Sequence, residues 1–519
     1  MPSLTVDNKT IQVDAGAMLT DAARQAGAEI PTLCFREGCG HVPSCMVCVV
    51  RDCASGRLWP ACSTRAEEGM SITTDGDDIR NARRAAVELL LSDHVGDCEG
   101  PCRQACPAGM NIPLMVRQMQ QGDMRAAAQT VLRDIPFPSI LGRICPAPCE
   151  KACRRGKRDE PVAICLLKRL AGDATIEAPP VPETLPPTGR TAAVVGAGPT
   201  GLTAAFYLAL QGHACTVFEK EQALGGGLRS DTLRDKLPQD LLDSECGRVL
   251  DCGVETVFGC EVGKDVPMSR LVDDYDVVML ATGQNTADAA AAFGVDVGKR
   301  GIAADRKTCR TNVPDIFAAG AAVAPTRLAV RAVGQGHAMA SAADQFLRRK
   351  AVTGRRERFQ SRIGALTAEE LEAFMACADP QPRKGGTPDS PNGLQPDEAV
   401  AEAKRCMHCD CRKAENCKLR ERAEQLGASQ KRFAPKQRKP VRINRDHNVV
   451  YEPGKCIACG ICIRIAQQAQ EPLGLAFVGR GFDVRVGVPF SSSIDEGLRK
   501  TDAACVAACP TGALSSLGR

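Results

Sequence analysis

Cysteines at ligand spacing are the residues of this chain best suited to chemistry. There are 28 in 519 residues, and most fall in short runs. A thiolate is a nucleophile or a metal ligand, and thiolates two to four residues apart hold iron–sulfur clusters or zinc. Cys34, Cys45, Cys48 and Cys62 follow the pattern Cys-x10-Cys-x2-Cys-x13-Cys. The close pair grips one iron from a tight loop, and the flanking pair completes a [2Fe–2S] site. Small residues between them (Gly38, Gly40, Ser44) let backbone amides approach the sulfurs, while four-cysteine zinc is the alternative for the same thiols. Cys39 and Cys53 lie outside the pattern and are expected to be packing residues. No constellation for nucleophilic or acid–base catalysis is visible, so no catalytic side chain is assigned.

Further groups follow. Cys98, Cys102 and Cys106 stand in DCEGPCRQACPAG, and Cys145, Cys149 and Cys153 in GRICPAPCEKACRRG. Cys406, Cys409, Cys411 and Cys417 lie within twelve residues, enough to close around an iron–sulfur cluster or a zinc ion. Cys456, Cys459 and Cys462 are spaced Cys-x2-Cys-x2-Cys, with the proline-linked Cys509 as remote fourth ligand of one [4Fe–4S] cluster. A second cluster there would need cysteines near Ala466 and Asp502, so Cys505 is read as a spare or alternate ligand. Cys215, Cys246, Cys252, Cys260, Cys309 and Cys377 lack ligand spacing and read as small buried hydrophobes.

Between the cysteine groups lies TAAVVGAGPTGLTAAFYLALQGHACTVFEK, an apolar strand, Gly196-x-Gly198-x-x-Gly201, an alanine-rich helix, a second strand and Glu219. The first glycine makes a tight turn, the second admits a pyrophosphate, the third lets helix pack on strand. The helix N-terminus binds phosphate, and Glu219 would take the ribose hydroxyls. Strand, helix and acid in register make the motif specific.

The elements that must position these residues suggest several domains. SLTVDNKTIQVDAG alternates around Asp7-Asn8, a hairpin signal, and MLTDAARQAGAEI reads as an amphipathic helix. The segment between Cys106 and Cys145 has helical periodicity broken at Gly122 and Pro136. Residues 176–190 are a proline-rich linker, RKGGTPDSPNG is a loop-rich spacer, and KRFAPKQRKPVRINR is basic, read as a solvated linker. Formal net charge is only +4, which argues against a nucleic-acid footprint. No run of about 18 apolar residues suggests a membrane span, and MPSLTVDNKT lacks a signal-peptide pattern, so a cytoplasmic protein with reduced thiols is expected.

Residues 1–80 resemble the ferredoxin-like domain that opens the large iron–sulfur subunit of complex I and of related hydrogenases, which implies a β-grasp fold. Residues 81–175 resemble the N-terminal iron–sulfur domain of the glutamate synthase small subunit family, shared with dihydropyrimidine dehydrogenase. That resemblance implies one [4Fe–4S] on Cys106, Cys145, Cys149 and Cys153, and a second on Cys98 and Cys102. The family's carboxylate or amide ligand falls at Lys168, which cannot serve. Cys165, one helical turn earlier, is the expected replacement, with His94, similar in placing to a His ligand in complex I, as a weaker one.

Residues 191–350 resemble the FAD domain of the same family, through ALGGGLR, DDYDVVMLATGQN and TNVPDIFAAGAAV. The contacts this implies are Gly196, Gly198, Pro199, Gly201, Glu219, Lys220, Gly226, Arg229, Thr282, Gly283, Gly320 and Ala321, the last standing where the family has an aspartate. The family inserts an NADPH domain after its ATG motif, yet only 29 residues separate Gly283 from Val313. The expected architecture is multidomain α/β and α+β, with a helical cluster module and linkers at 351–440 and a ferredoxin-like domain at 441–519. The expected cofactors are FAD, one [2Fe–2S] and three to four [4Fe–4S] clusters. The expected role is an electron-transfer subunit, working with a complex I-like NADH-oxidising subunit, a formate or aldehyde dehydrogenase, a hydrogenase or ferredoxin. A self-sufficient NAD(P)H oxidoreductase and a zinc-bearing scaffold are the alternatives.

Overall fold

Asp7 and Asn8 both adopt left-handed backbone, φ 49° and 67°, as a two-residue type I′ turn requires. They join β1 (Ser3–Val6) to β2 (Lys9–Gln12) with Leu4 opposite Ile11, so the hairpin expected from sequence is present. Helix α1 (Leu19–Gln25) buries Leu19, Ala22 and Ala23. Strands β3 (Val49–Asp52), β4 (Leu58–Pro60) and β5 (Ser71–Thr73) complete a sheet ordered β2-β1-β5-β3-β4, in which β1 and β5 run parallel. Helix α2 (Asp77–Ser92) is tied to β3 by Arg83, whose Nη2 donates to Val49 O at 2.8 Å.

The computed structural model describes all residues except 41, 181, 285–289, 387–392, 436–437, 447 and 518–519. Parts of the proline-rich linker, the loop-rich spacer and the basic segment therefore lie outside the described residues. The chain forms two units: Met1–Gly100 with Arg358–Cys377 and His408–Arg519, and Pro101–Glu357 with Ala378–Met407. The boundary runs between Cys98 and Cys102 and again between Cys406 and Cys409.

The second unit opens with six helices: α3 (Pro101–Ala105), α4 (Ile112–Gln120), α5 (Met124–Leu132), α6 (Pro138–Ile144), α7 (Pro148–Lys151) and α8 (Ile164–Asp173). Asn111 and Asp123 cap α4 and α5 by accepting backbone N–H bonds. Gly142 and Gly172 let α6 and α8 touch: a Cβ on either would stand within 2.6 Å of the opposing helix.

A parallel sheet follows, built from β6 (Thr191–Val195), β7 (Ala214–Glu219), β8 (Glu255–Phe258), β9 (Val277–Leu280) and β12 (Ile316–Ala318). Its strands are ordered β12-β9-β6-β7-β8. Helix α9 (Pro199–Leu210) connects β6 to β7 and is apolar all round because it is buried, with α11 (Ala329–Leu347) packed along it; α10 (Gln239–Gly247) precedes β8. Between β9 and β12 the described residues form only the small ribbon of β10 (Val297–Gly298) and β11 (Gly301–Ile302) as sheet structure. The cluster helices and the flavin-type domain share one apolar core, in which Met115, Ile140 and Leu166 join Val194, Leu202 and Val333.

The first unit resumes with α12 (Lys418–Gln425), β13 (Asn444–Arg445), β14 (Val449–Tyr451), α13 (Ile461–Gln468), α14 (Asp502–Ala508) and β15 (Leu514–Ser516). Strand β14 pairs antiparallel with both β13 and β15. No described helix is long and apolar enough to cross a membrane.

Candidate iron–sulfur and flavin sites

All 28 cysteines are unpaired by disulfides. Cys34, Cys45, Cys48 and Cys62 are all buried and converge. Cys48 Sγ lies 3.0 Å from Cys62 Sγ, and Cys34 hydrogen-bonds both Cys45 and Cys62. Those bonds pull the Cys34 thiol far below its ordinary pKa and push Cys62 above it, as expected where neighbouring thiols share protons. Backbone amides of Ser44 and Cys45 also aim at Cys34 sulfur. The loop therefore presents the four thiols and N–H donors a [2Fe–2S] cluster requires. Cys39 packs as expected, half-buried beside Gln468. Cys53 is exposed: the residue sits past the end of β3, in the turn to β4, so the packing role expected for it is not found.

Cys456, Cys459, Cys462 and Cys509 line one cavity together with Tyr451 and Thr511. Ala458, in left-handed backbone at φ 51°, donates its N–H to Cys456 Sγ at 3.4 Å. Burial pushes the Cys456 thiol up to about 11 and Cys459 up to about 12. Neutral thiols are thus favoured until a metal centre supplies positive charge. Cys505 is fully buried and points at Cys462 O, 3.6 Å away.

Two sequence-remote segments meet elsewhere in the first unit. Cys411 donates its N–H to Cys98 O at 3.2 Å, and Cys417 feels the charge of Cys98. Ser361 donates its N–H to Cys98 Sγ at 3.3 Å. Burial pushes Cys411 up to about 12. Lys455 lies beside this group, its stem against Gly96. His94 also feels Lys455, and burial is the larger reason its pKa falls to about 4; its Nδ1 has no hydrogen-bond partner among the described residues.

Cys165, expected from sequence to complete the site of Cys98 and Cys102, stands on α8 in the second unit, where its thiol hydrogen-bonds Cys145 and Cys149. Close packing of α8 on α6 and α7 brings this about. Cys106 feels both Lys168 and Cys145, so it joins the same group. Cys102, Cys153 and Cys406 are half-buried against the surrounding core. Among the described residues, no three His, Cys, Asp or Glu side chains are arranged to hold a single metal ion. Multi-iron clusters differ in bringing their own sulfide, which spreads the thiolates around a cage.

The glycine loop is shaped for a dinucleotide. A Cβ at Gly201 would meet Gly196 O at 1.9 Å, and one at Gly196 (φ 103°) would meet Ala281 O at 2.6 Å. At Gly198, the N-cap ahead of Pro199, a Cβ would meet nothing within 4 Å. Open space at a helix N-terminus suits the pyrophosphate of FAD. Glu219, at the end of β7, accepts from Ala197 N–H at 2.6 Å and Glu221 N–H at 3.0 Å. Lys220 follows it and is exposed. Gly226 packs on Gly198, where a Cβ on Gly226 would stand 3.0 Å from the Gly198 Cα, and Gly320 packs on Thr200. Thr282 and Gly283 follow β9, while Ala321 lies past β12. Arg229 is committed to Gln239, Asp243 and the Leu224 carbonyl, a structural role not legible from its motif. Of the six non-ligand cysteines, Cys215, Cys246, Cys260 and Cys309 are buried, and Cys252 and Cys377 half-buried.

Three family models match stretches of the chain. Residues 2–77 match a 2Fe-2S iron-sulfur cluster binding domain, 87–179 the 4Fe-4S domain II of dihydropyrimidine dehydrogenase, and 160–336 the pyridine nucleotide-disulphide oxidoreductases. The chain thus fuses iron–sulfur domains to a flavoprotein oxidoreductase domain. Among curated relatives, the NADPH-Fe(3+) oxidoreductase subunit beta of Geobacter sulfurreducens is 34% identical over 39% of this chain and 31% of its own length. The NADP(+)-dependent formate dehydrogenase subunit beta of Moorella thermoacetica is 32% identical over 39% and 32%. The glutamate synthase [NADPH] small chain of Mycobacterium tuberculosis is 38% identical over 36% and 39%. The chain therefore spans between about a third and two fifths of these relatives.

Proposed function

We propose that this chain is a FAD- and iron–sulfur-containing electron-transfer subunit of a cytoplasmic redox complex. It passes electrons between a partner's NAD(P)H or substrate site and ferredoxin or another catalytic subunit. The observation that carries this reading is the junction of α11 with the Cys106 loop. A Cβ on Gly334 would stand 2.3 Å from Pro107 O, so the flavin-type domain and one thiol group are built as a single body. FAD, when bound, supplies a two-electron store that exchanges single electrons with clusters. The chain's own residues hold and orient the groups: Gly196, Gly198, Gly201 and Glu219 the flavin, and the thiols the iron.

Cys34, Cys45, Cys48 and Cys62 are assigned to [2Fe–2S], and Cys456, Cys459, Cys462 and Cys509 to [4Fe–4S]. Cys106, Cys145, Cys149 and Cys165 are assigned to a second [4Fe–4S], with Cys165 in the place expected of Cys153. Cys98, Cys411 and Cys417 belong to a further centre; their meeting favours iron–sulfur over a self-contained zinc site on Cys406–Cys417. Cys102, Cys153, Cys406 and Cys409 remain candidate ligands.

The partner is inferred from the small ribbon between β9 and β12, where a nicotinamide domain would enter. The test is an anaerobic preparation assayed for flavin, iron, sulfide and zinc per chain, then mixed with NADH or NADPH. Flavin absorbance that persists for minutes with either nucleotide is expected. Bleaching within the mixing time would establish the self-sufficient oxidoreductase instead, and stoichiometric zinc without sulfide the scaffold.

A further inference from the structure

Lys168 is buried with no carboxylate bonded to it among the described residues. Its side chain is 4% exposed on α8, and its hydrogen-bond partner among those residues is Cys165 Sγ at 3.9 Å. A lone ammonium in such a place is strongly unfavourable unless an anion accompanies it. Glu150, the nearby carboxylate on α7, is committed elsewhere. Its Oε1 accepts from Cys165 N–H at 2.9 Å, and its Oε2 pairs with Arg383 Nη2 at 2.9 Å. What surrounds the ammonium is Cys165, Cys145, Cys149 and Cys106. These sulfurs are the groups able to carry negative charge that face the ammonium, Cys165 Sγ within hydrogen-bond reach of it. The missing counter-charge therefore has to reside on the thiolates or on what they hold.

We infer that Lys168 is the fixed counter-ion of the [4Fe–4S] centre on Cys106, Cys145, Cys149 and Cys165, and that it raises the centre's reduction potential. The inference rests on the ligand assignment proposed above. One electron arrives from a neighbouring flavin or cluster and leaves by the same kind of donor–acceptor exchange; no bond forms or breaks. The role asks of Lys168 only that its charge be the same in both redox states, so no proton moves. A positive charge that does not move favours whichever state carries more negative charge, here the reduced one. A buried site screens that effect little. A lysine is suited to this because its ammonium cannot ligate iron while protonated, yet reaches Cys165 Sγ.

The experiment is an EPR-monitored redox titration of the anaerobically reconstituted full chain, comparing wild type with Lys168→Met and Lys168→Arg. The relevant signal is the one that Cys165→Ser abolishes. Lys168→Met is expected to weaken reduction at least tenfold, about 59 mV for one electron, whereas Lys168→Arg stays within about threefold of wild type. An unchanged potential in Lys168→Met overturns the inference. A second readout holds even if Lys168→Met loses iron: with no cluster present, the apoprotein of this variant should melt above wild-type apoprotein, because a buried charge without a carboxylate partner is gone. An equal or lower melting temperature overturns the counter-ion role. Should Cys165→Ser keep all its iron while Cys153→Ser loses it, the ligand assignment fails, and the inference with it. Loss of iron in Cys165→Ser with an unmoved potential in Lys168→Met defeats the inference alone.

Discussion

Gly198 and Gly201 sit three residues apart in one loop, yet a methyl group on each would do different damage. At Gly201 it would collide with Gly196 O at 1.9 Å, forcing α9 off β6. Overpacking of that kind costs roughly 1–3 kcal/mol, so Gly201→Ala should lower both the melting temperature of the flavin domain and its FAD content. At Gly198 the methyl meets no protein atom within 4 Å, and φ of −76° suits alanine. Gly198→Ala should therefore leave the apoprotein's melting temperature within about a degree or two while lowering FAD affinity about tenfold, the worth of roughly 1.4 kcal/mol. FAD retained per chain after gel filtration reads the affinity, and equal retention in wild type and Gly198→Ala would mean that the open space is not the phosphate seat. Such residues were legible in the sequence because strand, glycines, helix, second strand and acid follow one another in register. Cys165 was legible as a thiol with ligand potential but not as a neighbour of Cys145 and Cys149. Spacing reports which residues share a loop, whereas the meeting of α8 with α6 depends on Gly142 and Gly172, whose packing role no motif marks.

Helix α6 delivers Cys145, and its start is held by a buried carboxylate from α10. Glu245 accepts from the N–H groups of Ser139 and Ile140 at 2.7 and 2.8 Å, two donors that a helix N-terminus leaves unpaired. Burial raises the pKa of this carboxyl from 4.5 to about 7, against the lowering effect of those bonds and of Arg248. The sign of the consequence follows from proton counts. Between about pH 4.5 and pH 7 the unfolded carboxyl has lost its proton while the folded one keeps it. Stability contributed through Glu245 therefore falls as pH rises through that window and is level above it. The drop amounts to roughly 3 kcal/mol if the whole shift is expressed. Amide exchange of residues 139–144, corrected for intrinsic rates, should show protection lost from pH 5 to pH 7.5 in wild type. In Glu245→Gln the pH dependence should vanish, although protection at pH 5 is lower because an amide accepts with only one oxygen. A slope that survives in Glu245→Gln would assign the effect to another group. No sequence pattern marked Glu245, since an acid on a helix is ordinarily solvated and only burial makes it a cap.

Within the first unit, the two ends of the chain meet. Helix α13 docks on the Cys34–Cys45 loop: Arg464 Nη2 donates to Cys34 O at 3.3 Å and to Cys459 O at 3.0 Å, and Gln468 donates to Gly38 O at 2.7 Å. Cys34, Cys45 and Cys417 share an apolar core against which Cys459 packs. The Cys34–Cys45 loop and the Cys456–Cys462 group, remote in sequence, are therefore neighbours in this unit. One guanidinium spanning two ligand-bearing loops fixes their separation more tightly than apolar contact alone, because both acceptors are backbone carbonyls with little freedom. With both centres assembled and reduced, the wild-type EPR spectrum should show spin–spin splitting of the [2Fe–2S] signal by the cluster on Cys456, Cys459, Cys462 and Cys509. Cys462→Ser should remove the splitting while keeping the [2Fe–2S] signal. Arg464→Leu should retain iron and sulfide but narrow the splitting, since the loops lose their common anchor. A wild-type spectrum equal to the sum of two isolated signals, at full iron content, would show that the two centres are too far apart to exchange electrons directly. Splitting confined to the intact chain would instead make the C-terminal module the immediate redox neighbour of the N-terminal one.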